Sequence, residues 1–130
     1  MAAFVTNNDL AEIVTTVVAA NTARYLQWGE GSGQDAADNA IASAGNTTED
    51  RTAGTMSVET ETAIGDTIQI VGTITADGVR KITELGVFDT AGSGSPPTGG
   101  DMAVYLELNE IALSANDSVT FTLKITLDQA

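Results

Sequence analysis

The chain contains no cysteine and no histidine. Their absence excludes disulfide bracing, thiolate and imidazole metal ligands, cysteine nucleophiles and histidine general bases. Cations are scarce: Lys and Arg number 5 against 18 Asp and Glu, a net charge of −13. Such a surface repels phosphate backbones and anionic lipid heads, which argues against nucleic acid and membrane surfaces as partners. No apolar run approaches the ~18 residues of a membrane span, and the opening Met1-Ala2-Ala3-Phe4-Val5 lacks the basic start of an export signal. The expectation is a soluble chain made in the cytoplasm. Asn46-Thr47-Thr48 and Asn116-Asp117-Ser118 match the glycosylation triplet, a match that arises readily by chance in a chain with nineteen threonines.

What remains is enough to fold. At 130 residues and 42% hydrophobic content, the chain fits one domain, 1–130, that buries a core without staples. Three zones follow along it. Residues 1–22 hold an amphipathic helix, predicted over 9–21, in which Leu10, Ile13, Val14 and Val17 follow the i, i+3, i+4, i+7 spacing of one stripe. Asp9 and Glu12 have the spacing of a capping box. That stripe packs on the chain's own sheet or on a partner. Residues 23–54 read as an extended Gly/Ala-rich segment, with a short strand at 24–28 and room for a short helix at 35–44.

Residues 55–130 read as an antiparallel β core. Apolar side chains alternate with polar ones at Met56/Val58, Ile68/Ile70/Ile74, Met102/Val104/Leu106/Leu108 and Val119/Phe121/Leu123/Ile125/Leu127. Turn signals at Gly65-Asp66, Asp77-Gly78, 92–100 and Asn116-Asp117 separate the runs. Residues 79–89 break the alternation, with Ile82 and Phe88 expected on one face and Leu85 and Val87 on the other; a strand buried on both faces lies inside a sheet or crosses an interface. The fold class is all-β: an antiparallel sandwich or jelly-roll-like barrel with one N-terminal helix.

Candidate sites are few. Gly29-Glu30-Gly31-Ser32-Gly33 has the glycines of a phosphate loop without its lysine, and Glu30 would repel the phosphate. Glu59 and Glu61 share one strand face at the separation of paired glycosidase carboxylates, with nothing to split their pKa values, so a solvated acidic face is expected. Glu30, Asp35 and Asp38 are oxygen donors without the spacing of a calcium loop. No catalytic residue, metal ligand, cofactor or small-molecule substrate is expected from this set. Glu84 stands apart, because its place on an inward face calls for a partner; Arg51 or Arg80 is the expected one. The shortage of lysine resembles the surfaces of proteins that work at high salt.

Four strings then carry a resemblance. Trp28-Gly29-Glu30-Gly31 precedes Glu49-Asp50-Arg51; Ile82-Thr83-Glu84-Leu85-Gly86-Val87-Phe88-Asp89 follows a hairpin; and Asp117-Ser118-Val119-Thr120 opens the closing strand. In that order, over residues 28–127, the chain resembles small β-sandwich virion proteins of tailed bacterial and archaeal viruses, departing from them in the long loop 92–101. The resemblance implies a structural virion role and does not by itself separate head from tail; the leading expectation is a non-enzymatic capsid decoration, or cement, protein that binds the major capsid protein on the outside of the head as a homo-trimer. A tail, baseplate or fibre-attachment protein of the same particle is the alternative. An acidic carbohydrate-active enzyme using Glu59 and Glu61, and a glycan-binding module using Tyr25 and Trp28, are the rivals from other classes.

Overall fold

A computed structural model describes residues 6–20, 24–43, 47–61 and 64–127. It contains one helix, α1 (Asn7–Ala20), and six strands: β1 (Arg24–Gly29), β2 (Thr52–Glu59), β3 (Thr67–Thr75), β4 (Arg80–Phe88), β5 (Met102–Leu113) and β6 (Ser118–Thr126). All neighbours pair antiparallel in the order β5-β4-β1-β2-β3-β6. The all-β fold with a single N-terminal helix is therefore present, as one sheet curled into a half-barrel. β2 makes the bend: residues 52–54 pair with β1, and residues 55–59 pair with β3. The curl brings Trp28 of β1 edge-on to Phe121 of β6, ring centroids 6.4 Å apart, although two strands lie between them.

The concave side holds the core. Leu26 and Trp28 from β1, Ile68, Ile70 and Ile74 from β3, and Phe121 and Leu123 from β6 alternate inward as the period of two predicts. α1 packs against β2 and β3 on this side, with Val14 fully buried in the same cluster. The helix begins two residues before the predicted Asp9, because Thr6 is the cap: its Oγ1 accepts the Asp9 N–H at 3.3 Å. Asp9 then sits in the first turn, where its charge faces the positive end of the helix dipole. The predicted end, Asn21, lies outside the described residues.

Three further expectations change in detail. β1 falls within the segment read as extended and occupies the middle of the sheet, so the β core starts before residue 55. Asp77-Gly78 marks a turn but no hairpin: β3 and β4, which it joins, are separated in the sheet by β1 and β2. The short helix at 35–44 does not form over residues 35–43. Asp35 and Asp38 instead draw the backbone into a turn, the Asp35 N–H donating to Asp38 Oδ2 and the Ala37 N–H to Asp35 Oδ1, both at 2.8 Å.

β4 is buried on both faces along its second half, as its broken alternation suggested, and it lies inside the sheet. The face assignment differs from the expectation. A register shift between Ile82 and Glu84 changes the phase, so Ile82 joins Leu85 and Val87 in the core. Glu84 and Phe88 turn to the convex side, where the loops after β1 and β4 cover them.

Candidate interaction surface

Glu84 is fully buried on that convex side, and no cation among the described residues pairs with it. Its carboxylate is satisfied by four donors. The N–H groups of Gly31 (3.0 Å) and Ser43 (2.8 Å) donate to Oε1; the Ala42 N–H (2.8 Å) and the Tyr105 hydroxyl (3.0 Å) donate to Oε2. The expected pairing with Arg51 or Arg80 does not occur. A loop returning over the strand brings backbone donors to the carboxylate, and charge-assisted bonds to N–H groups meet the same need as a guanidinium. Burial and the bond to Glu84 together push the Tyr105 phenol up to about 12.

This contact explains the Trp-Gly-x-Gly string. A Cβ on Gly29 would collide with Glu84 Oε1 and the Ser43 carbonyl, and one on Gly31 would lie 2.7 Å from the Ser43 nitrogen. The glycines let the chain leaving β1 run against residues 41–43, where the Glu30 N–H donates to the Ser43 carbonyl at 2.9 Å. The loop seats Ile41, which is buried, over Gly29 and Gly86. Glycine here serves close backbone approach, with no phosphate to cradle.

Arg80 and Arg51 organise two neighbouring clusters. Arg80 pairs with Glu49, Nε to Oε1 at 2.9 Å, and with Asp77. The Asp77 N–H donates to Glu49 Oε1 at 3.0 Å, and the Trp28 indole N–H donates to Oε2 at 3.1 Å. Burial pushes the Glu49 carboxyl upward. The Asp77 N–H, the Trp28 indole, its own backbone N–H and Arg80 outweigh that and hold its pKa at about 2. Arg51 lies over the Phe88 ring, 3.6 Å from its centroid, and donates to Gln27 Oε1 at 2.9 Å and to the carbonyls of Thr90 and Gly99. Gln27 in turn donates to the Pro97 carbonyl at 3.0 Å, which fastens the long loop after β4 to β1. Burial lowers the Arg51 pKa, and Asp89 opposes the shift.

The sheet thus has two unlike outer faces. Over β4 and β1, the loops 30–43 and 89–101 form a roof held by Glu84 and Arg51, while Glu49 and Arg80 tie residues 48–49 and 77 to Trp28 at its margin. Over β2, β3 and β6 there is no roof among the described residues. Along that face runs a ladder of hydroxyls: Thr73 to Thr120 (2.7 Å) and Thr75 to Ser118 (2.6 Å) are exposed, and the ladder ends at Thr67, which is buried and bonds Thr126 at 2.9 Å. Glu59 lies at its margin and accepts the Ser57 hydroxyl at 2.9 Å, while Glu61 pairs with Lys124 and raises the lysine's pKa. On an acidic chain, this face carries little charge.

The predicted residues are therefore dispersed. Val14 is core, Val17 is half-buried, and Ile13 is 44% exposed, lining a shallow groove on the helix with Asp9, Glu12 and Thr16. The side chain of Leu10 lies outside the described part of the structure. Glu30 accepts the Lys81 N–H and does not join Asp35 and Asp38. Among the described residues, no group of three or more acidic side chains is placed to hold a metal ion. Two features escaped the sequence reading. Glu49 is a hub, and its only signal was its place in the Glu-Asp-Arg string; the hydroxyl ladder was signalled by alternating threonines in β3 and β6. No family model, curated protein or solved structure matches this chain.

Proposed function

We propose that this chain is a non-enzymatic structural protein of a virus particle, a capsid decoration protein that binds the major capsid protein on the outside of the head as a trimer. The reading rests on the resemblance of residues 28–127 to virion proteins. One structural observation carries it further: three charged side chains of the resembling strings are spent on architecture. Arg51 and Glu84, with Arg80 beside them, are buried, the Glu49 side chain is 6% exposed, and each is engaged by partners within the chain. A buried, satisfied polar network rigidifies a fold and leaves these groups no open valence for a substrate. That suits a protein whose task is to keep its shape against a neighbour.

The test is copy number in purified particles, by quantitative mass spectrometry against the major capsid protein. Hundreds of copies per particle are expected. A handful, in multiples of three or six, would move the protein to the tail, baseplate or fibre attachment. Absence from the particle would overturn the reading.

A further inference from the structure

The half-barrel ends in two strands that do not meet. β5 and β6 form the opposite edges of the sheet and make no contact with one another. Exposed edges are templates for pairing unless they are blunted by proline, charge or bulges. β6 has no proline and pairs with β3 through nine unbroken rungs, so its free edge is straight; Lys124 is its one charge. β5 is irregular beyond Glu107, where its register with β4 shifts, but regular over residues 104–107.

We infer that copies of this chain associate head to tail, the β5 edge of one pairing with the β6 edge of the next. Three observations select this arrangement. First, strand direction: six strands alternate along the sheet, so β5 and β6 run in opposite senses, and the next copy continues the antiparallel order without turning over. Second, side-chain pattern: with Glu107 set opposite Lys124, the regular stretch of β5 places Val104 and Leu106 opposite Leu127 and Ile125 on the inner face. All four are only partly buried within one copy. Cross-strand apolar pairs of this kind stabilise a sheet, and joining them takes the remaining apolar surface out of water. Third, charge: β5 carries Glu107 and Glu110, and β6 carries Lys124. A β5–β5 contact would set acids against acids. A β6–β6 contact would leave the lysine without those carboxylates. The mixed contact matches them: Glu107 accepts the Gly33 N–H through Oε1 at 2.6 Å and keeps Oε2, and Lys124 beside Glu61 keeps further N–H groups to donate.

A repeated head-to-tail contact closes into a ring when its rotation divides a full turn. The inference stands apart from the virion reading, because a ring of this kind requires no particle, and it is tested on the purified chain alone. The natural absence of cysteine makes trapping clean. Asn109→Cys, just past the regular stretch of β5, and Thr122→Cys, two residues from Lys124, flank the proposed contact within reach of a short linker, and both positions are exposed. With a short bismaleimide linker, each single variant alone is expected to stay monomeric on a denaturing gel. An equal mixture should give a covalent dimer, and the double variant a ladder. Sedimentation of the unmodified chain should show concentration-dependent association that strengthens from low to molar salt, as screening relieves the repulsion between copies of charge −13. A monomer at every salt and concentration would overturn the inference, as would cross-linking of Thr122→Cys to itself.

Discussion

The two halves of the sheet meet the same requirement in opposite ways. β4 and β1 are buried on both faces, core beneath and loops above, and every polar group drawn under the loops needs a designated partner. β2, β3 and β6 bury one face, against the core and α1, and leave the other to water. There hydroxyls pair with each other, and solvent satisfies what they do not. The roofed half depends on single residues, Glu84 and Arg51 above all, with Glu49 serving the same purpose at its margin. The bare half depends on a repeated pattern in which each member counts for little.

The first way to break this comparison is Glu84→Ala. It removes the acceptor of three backbone N–H groups and the Tyr105 hydroxyl, and it is expected to cost about 3–5 kcal/mol in denaturant unfolding. Residues 30–43 should become the first site of proteolysis. A loss as small as that of a surface threonine would sink the idea that the roof hangs on this carboxylate.

Glu49→Gln comes next, at about 2–3 kcal/mol near neutral pH, and it carries a pH signature. The folded-state pKa of Glu49, about 2, lies below the ordinary 4.5. Its stabilisation is therefore complete above pH 4.5 and is lost as the pH falls toward 2. The unfolding free energies of the two proteins should converge across that window; a constant gap would reassign the effect to packing.

Val14→Ala should cost about 2 kcal/mol and Ile13→Ala well under half as much, because Val14 is sealed in the core and Ile13 is half in water. Equal losses would mean that both residues are buried in solution. Tyr105→Phe is smaller still, about 1 kcal/mol, since three donors to Glu84 remain. Thr120→Ala, on the bare half, should change stability by less than about 0.5 kcal/mol. A larger loss there would erase the contrast between the halves.

Much of the architecture was legible in the residues. The strands of the bare half follow strict alternation because one of their faces meets water and the other meets the core, and that difference is written into each side chain. β4 announced its double burial by breaking the pattern. Its face assignment was not legible, because the register shift that returns Ile82 to the core is set by how β4 and β5 fit together. The candidate site was less legible. Glu84 was singled out correctly as a buried carboxylate in need of partners, and the wrong partners were named. Arg51 and Arg80 were plausible by charge, yet both are committed to other groups by the path of the chain.

By itself, the sequence determined the class of the fold, the single helix, the positions of most strands and the chemistries that lack the residues to occur. Those properties are local: they follow from side-chain periodicity, turn residues and composition. Only the tertiary structure decided how the sheet is ordered, which face of β4 Ile82 joins, and that a buried carboxylate is held by backbone N–H groups 41–53 residues away along the chain. Every residue except proline carries such an N–H, so nothing in the sequence marks which of them will arrive. The return path of a loop over its own sheet makes that choice.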